Sequence, residues 1–107
     1  MSVVDLNASV SNEPDGSLVV ALEGELDMES SRLVSECVST ALDAGESRIV
    51  IDLRDVRFID SRGLAALVTV HRDVEEAGKS LVVRSPTKCS LDLFSMTGVD
   101  HVLEIEP

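Results

Sequence analysis

Short β-branched runs alternate along this chain with segments whose apolar residues recur every three to four positions, and that alternation leaves few folds open. Residues 18–22, 49–53 and 81–83 read as strands. The middle run lacks clean polar alternation, as a strand covered on both faces would. Leu33, Val34, Cys37, Val38, Ala41 and Leu42 predict a first helix over 29–44, with Asp27 or Ser30 as its cap and Gly45 as its stop. A second helix carries Leu64, Leu67, Val68, His71 and Val74 on one side, Arg62, Thr69, Arg72 and Glu76 on the other, and ends at Gly78. Ser85-Pro86 predicts a cap and a first helical residue for a third helix, which holds Cys89, Leu93, Phe94 and Met96 and stops at Gly98.

Ahead of these segments Val4, Leu6, Ala8 and Val10 alternate with polar neighbours, and Glu13-Pro14-Asp15-Gly16 is turn chemistry, so the chain opens on a hairpin. A last short strand is expected over 102–105. The fold class is α/β: one domain over residues 1–107, a mixed sheet with an N-terminal hairpin and right-handed βαβ crossovers, and three main helices. No linker, repeat or low-complexity tract divides it.

Twenty Asp and Glu against nine Lys and Arg give a formal charge of −11, so the field around the protein repels phosphate backbones and anionic headgroups. Nucleic acid and membrane surfaces are poor partners. Trp and Tyr are absent, which removes the stacking platform that single-stranded nucleic acid uses. The longest apolar runs, 18–22 and 64–68, fall far short of the ~20 residues that cross a bilayer. The N-terminus has neither a basic nor a long apolar region of the secretory kind, so a cytoplasmic location is expected. Cys37 and Cys89 lack CxxC spacing and read as small core residues on apolar helix faces in a reducing compartment.

Catalytic sets are thin. Ser61 and His71 fall on one helix, but ten residues at 1.5 Å rise separate them by about 15 Å, too far for a nucleophile and its base. His71 also falls on the apolar stripe, as a packing histidine does, and His101 has no fixed partner in sequence. Neither histidine has ligand residues at a metal-site spacing, and no cofactor-binding loop is present, so neither metal nor cofactor is expected and the chain does not read as an enzyme. The carboxylates Glu25, Asp27, Asp55 and Asp60 each fall at a strand or loop end, against a background in which most acids are simply solvated.

The segment Phe58-Ile59-Asp60-Ser61-Arg62-Gly63-Leu64 differs in kind. A hydrophobic strand exit delivers Ser61 to the start of an amphipathic helix. The local reading makes Ser61 the N-cap, its hydroxyl accepting from the amide of Gly63 or Leu64. The functional reading uses the same geometry: a phosphate on Ser61 would meet free amides and the positive end of the helix dipole, while Gly63 would let another protein's backbone come close.

Taken together, Gly24-Glu25-Leu26-Asp27, Ile51-Asp52-Leu53 with Val56 and Phe58, Asp60-Ser61-Arg62-Gly63-Leu64, and Ser85-Pro86 through Leu93-Phe94 to Thr97-Gly98-Val99 resemble the bacterial anti-sigma factor antagonists of the STAS domain family over nearly the whole chain. The resemblance implies a partner switch. The unphosphorylated domain would bind an anti-sigma factor and release a sigma factor. That partner, itself a serine kinase, would phosphorylate Ser61, and a serine phosphatase would reset it. Glu25, Asp27, Asp60, Ser61, Arg62 and Gly63 would form the contact surface. Arg62 stands where many relatives have Ser or Thr, and Ala65 replaces a frequent second glycine; Arg62 could pair with the phosphate or with an acidic partner. A scaffold that is never modified is the alternative. A receiver-like domain fits the αβ alternation but not the residues: Asn7 and Ala8 stand where an acidic pair belongs, and no lysine follows Lys88.

Overall fold

The computed structural model describes residues 6–107, so Val4 lies outside the described residues. The elements run β1 (Leu6–Asn12), β2 (Leu18–Leu26), α1 (Ser31–Asp43), β3 (Arg48–Ile59), α2 (Ser61–Glu76), β4 (Ser80–Arg84), α3 (Lys88–Thr97) and β5 (Glu104–Glu106), with a 3₁₀ turn at Val99–His101 before the last strand. The strands lie in the order β1-β2-β3-β4-β5. β1 pairs antiparallel to β2 and every other pair is parallel, which is the mixed sheet with an opening hairpin that the sequence predicts. The turn closes through Glu13, whose N–H donates to the Ser17 carbonyl at 2.9 Å, and Asp15, whose carboxylate accepts from the Ser17 amide at 2.9 Å.

Period-two alternation sorts the strands into two faces. The register places Leu18 beside Ile49 and Ile49 beside Leu81, and Val20, Ile51 and Val83 likewise share a row. These rows pack against Val34, Val38 and Ala41 of α1 and Leu64, Leu67, Val70 and Val74 of α2 as one core. On the opposite face Val19, Val50 and Val82 form a second buried row, so the central strand is covered on both sides.

Flanking that row stand Arg48 and Arg84, each two residues from a buried valine of its own strand and so on the same face. The Arg84 guanidinium donates to both Glu13 oxygens at 3.0 Å and to Glu106 at 2.8 Å, while Arg48 donates to the Ser17 hydroxyl at 2.9 Å and to Glu106 at 3.3 Å. One side chain thus ties the β1–β2 turn to both β4 and the edge strand β5. The two carboxylates raise the Arg84 pKa further, Glu13 most. Only 18% of the Arg84 side chain is exposed, whereas its partners keep 35% and 39% and can rehydrate. Arg84→Met is therefore expected to cost about 1–3 kcal/mol, below the 3–5 of a fully buried pair. Urea melts should show a gap from wild type that narrows as salt rises; a salt-independent gap would mean the loss comes from packing alone.

Several boundaries differ from the sequence reading, two of them near the end of the chain. Ser85 does not cap α3: it lies in the left-handed region at φ 52°, and its N–H still donates to the Glu106 carbonyl at 2.8 Å as part of the sheet's end. Thr87 is the cap. Its extended backbone aims the hydroxyl at the Ser90 amide, 3.2 Å away, which Ser85 in its conformation could not do. The last strand starts at Glu104 rather than at residue 102, because Leu103 N–H is taken by the Val99 carbonyl in the preceding 3₁₀ turn. Gly98 ends α3 at φ 78°, a conformation other residues adopt only at a cost.

Candidate functional site

β3 outruns β4. It pairs with β4 only from Arg48 to Asp52, then continues beside β2 alone as far as Ile59, with α3 packed against it. Along that extension the register slips twice. Ala21 and Glu23 of β2 face Asp52 and Asp55, and the neighbours Gly24 and Glu25 face Val56 and Phe58, so β3 carries the extra residue each time. Each bulge bends and re-aims the strand. The result is that Leu26 and Ile59 leave the sheet side by side, and the Asp60 N–H donates to the Leu26 carbonyl at 3.2 Å. The loops into α1 and α2 begin together, which is what gathers Glu25, Asp27, Asp60, Ser61 and Arg62 on one end of the domain.

The cap of α2 is Asp60, not Ser61. Asp60 is extended (φ −106°, ψ −177°), and one carboxylate oxygen accepts from the amides of Arg62 at 3.0 Å and Gly63 at 2.9 Å. The Asp60 N–H bond to the Leu26 carbonyl fixes the extended backbone that aims this carboxylate at the helix start, where one oxygen serves two donors at the positive end of the dipole. Ser61 is thereby the first residue of the helix and exposed. The amides that a phosphate on Ser61 was expected to meet are already occupied. Asp60→Ala should then cost about 0.5–2 kcal/mol while Ser61→Ala stays within about 0.5 kcal/mol. Paired urea denaturation decides between the two residues, and a reversed order would restore the serine as the cap.

The second loop is organised by Asp27 and Ser30, each satisfying the other's backbone. The Ser30 N–H donates to the Asp27 carboxylate at 3.0 Å, the Asp27 N–H donates to the Ser30 hydroxyl at 2.8 Å, and that hydroxyl donates to the Glu25 carbonyl at 2.8 Å. Ser30 is buried and precedes α1 without capping it. The bond from the Ser30 amide above all lowers the Asp27 pKa from the usual 3.8. A lowered carboxyl pKa contributes stability that is present above the unfolded value and lost as pH falls through the folded one. The protection factor of the Ser30 amide, its exchange set against the intrinsic rate at the same pH, should consequently fall once pH drops below about 3.8, with the protection of the central-strand amides of β3 unaffected. Loss of protection at both together would mean global acid unfolding instead.

Gly63 serves the chain itself. It is buried, and a Cβ there would fall within the van der Waals envelope of the Leu26 carbonyl oxygen, 2.8 Å from its carbon and 2.9 Å from Leu26 Cγ. The backbone that comes close is that of β2. Met28, which the sequence reading passed over, and Phe58, which it placed only in the strand exit, complete the surface. Met28, 56% exposed, accepts a contact from Arg62 Nη1 at 2.9 Å, and Phe58, 47% exposed, lies opposite Glu25. An apolar residue set between Asp27 and Glu29 just past a strand end was the available signal for Met28. Phe58 gave none, because only the bulge turns it outward.

His71 is a packing histidine, buried on the apolar side of α2, with Nε2 3.2 Å from the Glu75 carboxylate. Among the described residues no three His, Cys, Asp or Glu side chains gather as a metal site would require, and no helix is long and apolar enough to cross a membrane. Cys37 is half-buried against the edge of the core rather than within it, and burial, then Glu36, raises its thiol pKa. Cys89 is exposed, contrary to the core position read from its spacing, because α3 turns Phe94 rather than Cys89 inward.

Comparison with known proteins places this geometry. The family described as "Mlab, STAS domain" matches residues 10–104. The anti-sigma-B factor antagonist of Bacillus subtilis is 29% identical over 102 residues, covering 95% of this chain and 92% of that protein. Among solved structures, an anti-sigma factor antagonist from Mycobacterium paratuberculosis superposes with a TM-score of 0.84 at 24% identity, over 95% of this chain and 86% of that one. The phosphorylated form of SpoIIAA, a Bacillus cell fate determinant, does so with a TM-score of 0.70 at 20% identity, over 92% and 90%. A match over nearly the whole of the sheet, the helices and the Asp60–Gly63 entry into α2 makes this chain a member of the STAS domain family.

Proposed function

We propose that this domain is a non-catalytic anti-sigma factor antagonist whose partner binding is governed by Ser61. In its unmodified form the end of the domain built from Glu25, Asp27, Asp60, Ser61 and Arg62, with Met28 and Phe58, binds an anti-sigma factor and so frees a sigma factor. The anti-sigma factor, acting as an ATP-dependent serine kinase, transfers the γ-phosphoryl group to the Ser61 hydroxyl and leaves ADP. A serine phosphatase hydrolyses the ester and restores the binding form. The domain itself acts in the cytoplasm and takes no cofactor, membrane or nucleic acid in this reading.

One observation carries the reading: Ser61 is an exposed hydroxyl on the first turn of a helix whose entry is held by a different residue. Because Asp60 holds the cap, Ser61 is open to a kinase and to modification without loss of helix support. The similarity to a protein named anti-sigma-B factor antagonist supports the choice of partner class, and the shared fold of phosphorylated SpoIIAA is compatible with a modified form. Affinity capture from the native cell extract with wild-type and Ser61→Ala baits, read by mass spectrometry, tests it. Recovery of an anti-sigma factor with both baits, and a phosphate on Ser61 of the wild type alone, is the expected result. Capture of a stable complex in which Ser61 is never modified would favour the scaffold.

A further inference from the structure

A separate surface lies on the flank of α1 away from α2. α1 has an inner apolar stripe, Val34, Val38 and Ala41, which enters the core. It also has an outer one. Leu33, Cys37, Thr40 and Ala44 follow at helical spacing and line a groove of about 330 Å³ whose floor is Val10 of β1 and Leu18 of β2. α1 packs on β2 and α2, leaving Val10, on the helix side of the edge strand opposite Val20, 56% exposed. The outer stripe runs for about 16 Å at 1.5 Å per residue, three turns of helix.

Charge selects the occupant. The ionisable lining residues other than the Cys37 thiol are Glu36 and Glu46, and the chain as a whole stands at −11. A second copy would bring Glu36 and Glu46 against their own kind, and an anionic lipid or fatty acid would meet the same two carboxylates. A straight apolar seam beside a helix, walled by small residues at Thr40, Ala41 and Ala44, admits another helix at the usual 8–10 Å axial separation. We infer that this groove docks a basic amphipathic helix of another protein, which lies over β1 beside α1, buries bulky apolar residues on Val10, Leu33 and Ala44, and sets Lys or Arg against Glu36 and Glu46. This site is independent of Ser61.

The test uses the full chain, ¹⁵N-labelled, and two synthetic 18-residue peptides of identical Leu, Ala and Lys composition. One repeats its leucines every three to four residues and the other alternates them. At 0.15 M salt the helical peptide should bind at least tenfold more tightly than its isomer by calorimetry, with amide shifts at Val10, Leu33, Cys37 and Ala44. Glu36→Lys/Glu46→Lys and, separately, Thr40→Arg should each weaken it at least tenfold at an unchanged urea midpoint. Ser61→Asp should leave it unchanged, so its failure and that of the phosphorylation reading are distinguishable. Equal binding of the two peptides, preference for the alternating one as a strand added to β1, shifts confined to other faces, or indifference to both variants would each overturn the inference.

Discussion

Phosphorylation of Ser61 is expected to weaken binding to the anti-sigma factor by at least 100-fold, about 3 kcal/mol, while moving the thermal midpoint by only a degree or two. Two effects oppose each other. At a helix N-terminus a phosphate gains about 0.3–1 kcal/mol from the dipole, and Arg62 can leave Met28 to reach it. Against this, the Arg62 and Gly63 amides are already held by Asp60, so the new charge of about −1.5 to −2 sits beside a carboxylate with its best donors taken. In the free domain water screens the pair. In a closed interface it does not, and like-charge repulsion with desolvation costs several kcal/mol. Calorimetry with the cognate anti-sigma factor should place Ser61→Ala within threefold of wild type and Ser61→Asp between wild type and the phosphoprotein. Binding by the phosphoprotein as tight as wild type would remove the switch and leave a scaffold.

Gly63→Ala should destabilise the fold by about 2–3 kcal/mol, the largest effect of any single methyl group added near the site. The sign is not set by helix propensity, which favours alanine by about 1 kcal/mol at a helical position. Steric overlap decides it. The atoms that a Cβ would meet are the Leu26 carbonyl and Cγ, and the carbonyl belongs to backbone that also accepts the Asp60 N–H. Moving it pulls on the end of β2, the Asp27–Ser30 loop and the α2 cap at once. Urea denaturation should show a lower midpoint with an unchanged slope, and amide shifts should spread to Asp27 and Ser30. A cost below about 0.5 kcal/mol would show that β2 and α2 can separate freely, and the tight assembly of the two loops would need another cause.

Much of the domain is written in local pattern. The strand of Ile49, Val50 and Ile51 and the stripe Leu64, Leu67, His71 and Val74 state their period directly, and hydrophobic burial enforces it, although Val70 rather than the expected Val68 is the valine that α2 buries. The choice of cap at Asp60-Ser61 was not legible in that way, because both residues are good caps and the decision rests on where the Leu26 carbonyl fixes the Asp60 backbone. Ser85 and Thr87 compete in the same fashion, and a hydrogen bond to Glu106, distant in sequence, settles it. The exposed faces of Phe58 and Cys89 were hidden for a related reason, since a bulge or a helix rotation inverts which side of an element is buried without changing its composition.

The sequence by itself therefore determined the α/β class, the order of elements, the core stripes and the serine at the entry to α2, since each follows from contacts a few residues apart. Only the tertiary structure decided that Asp60 rather than Ser61 holds the helix, that Gly63 makes room for β2, that Arg84 joins Glu13 to Glu106, and that the outer side of α1 stays uncovered. Each of these depends on groups far apart in the chain, whose juxtaposition is fixed by the pairing of whole strands and not by any local preference.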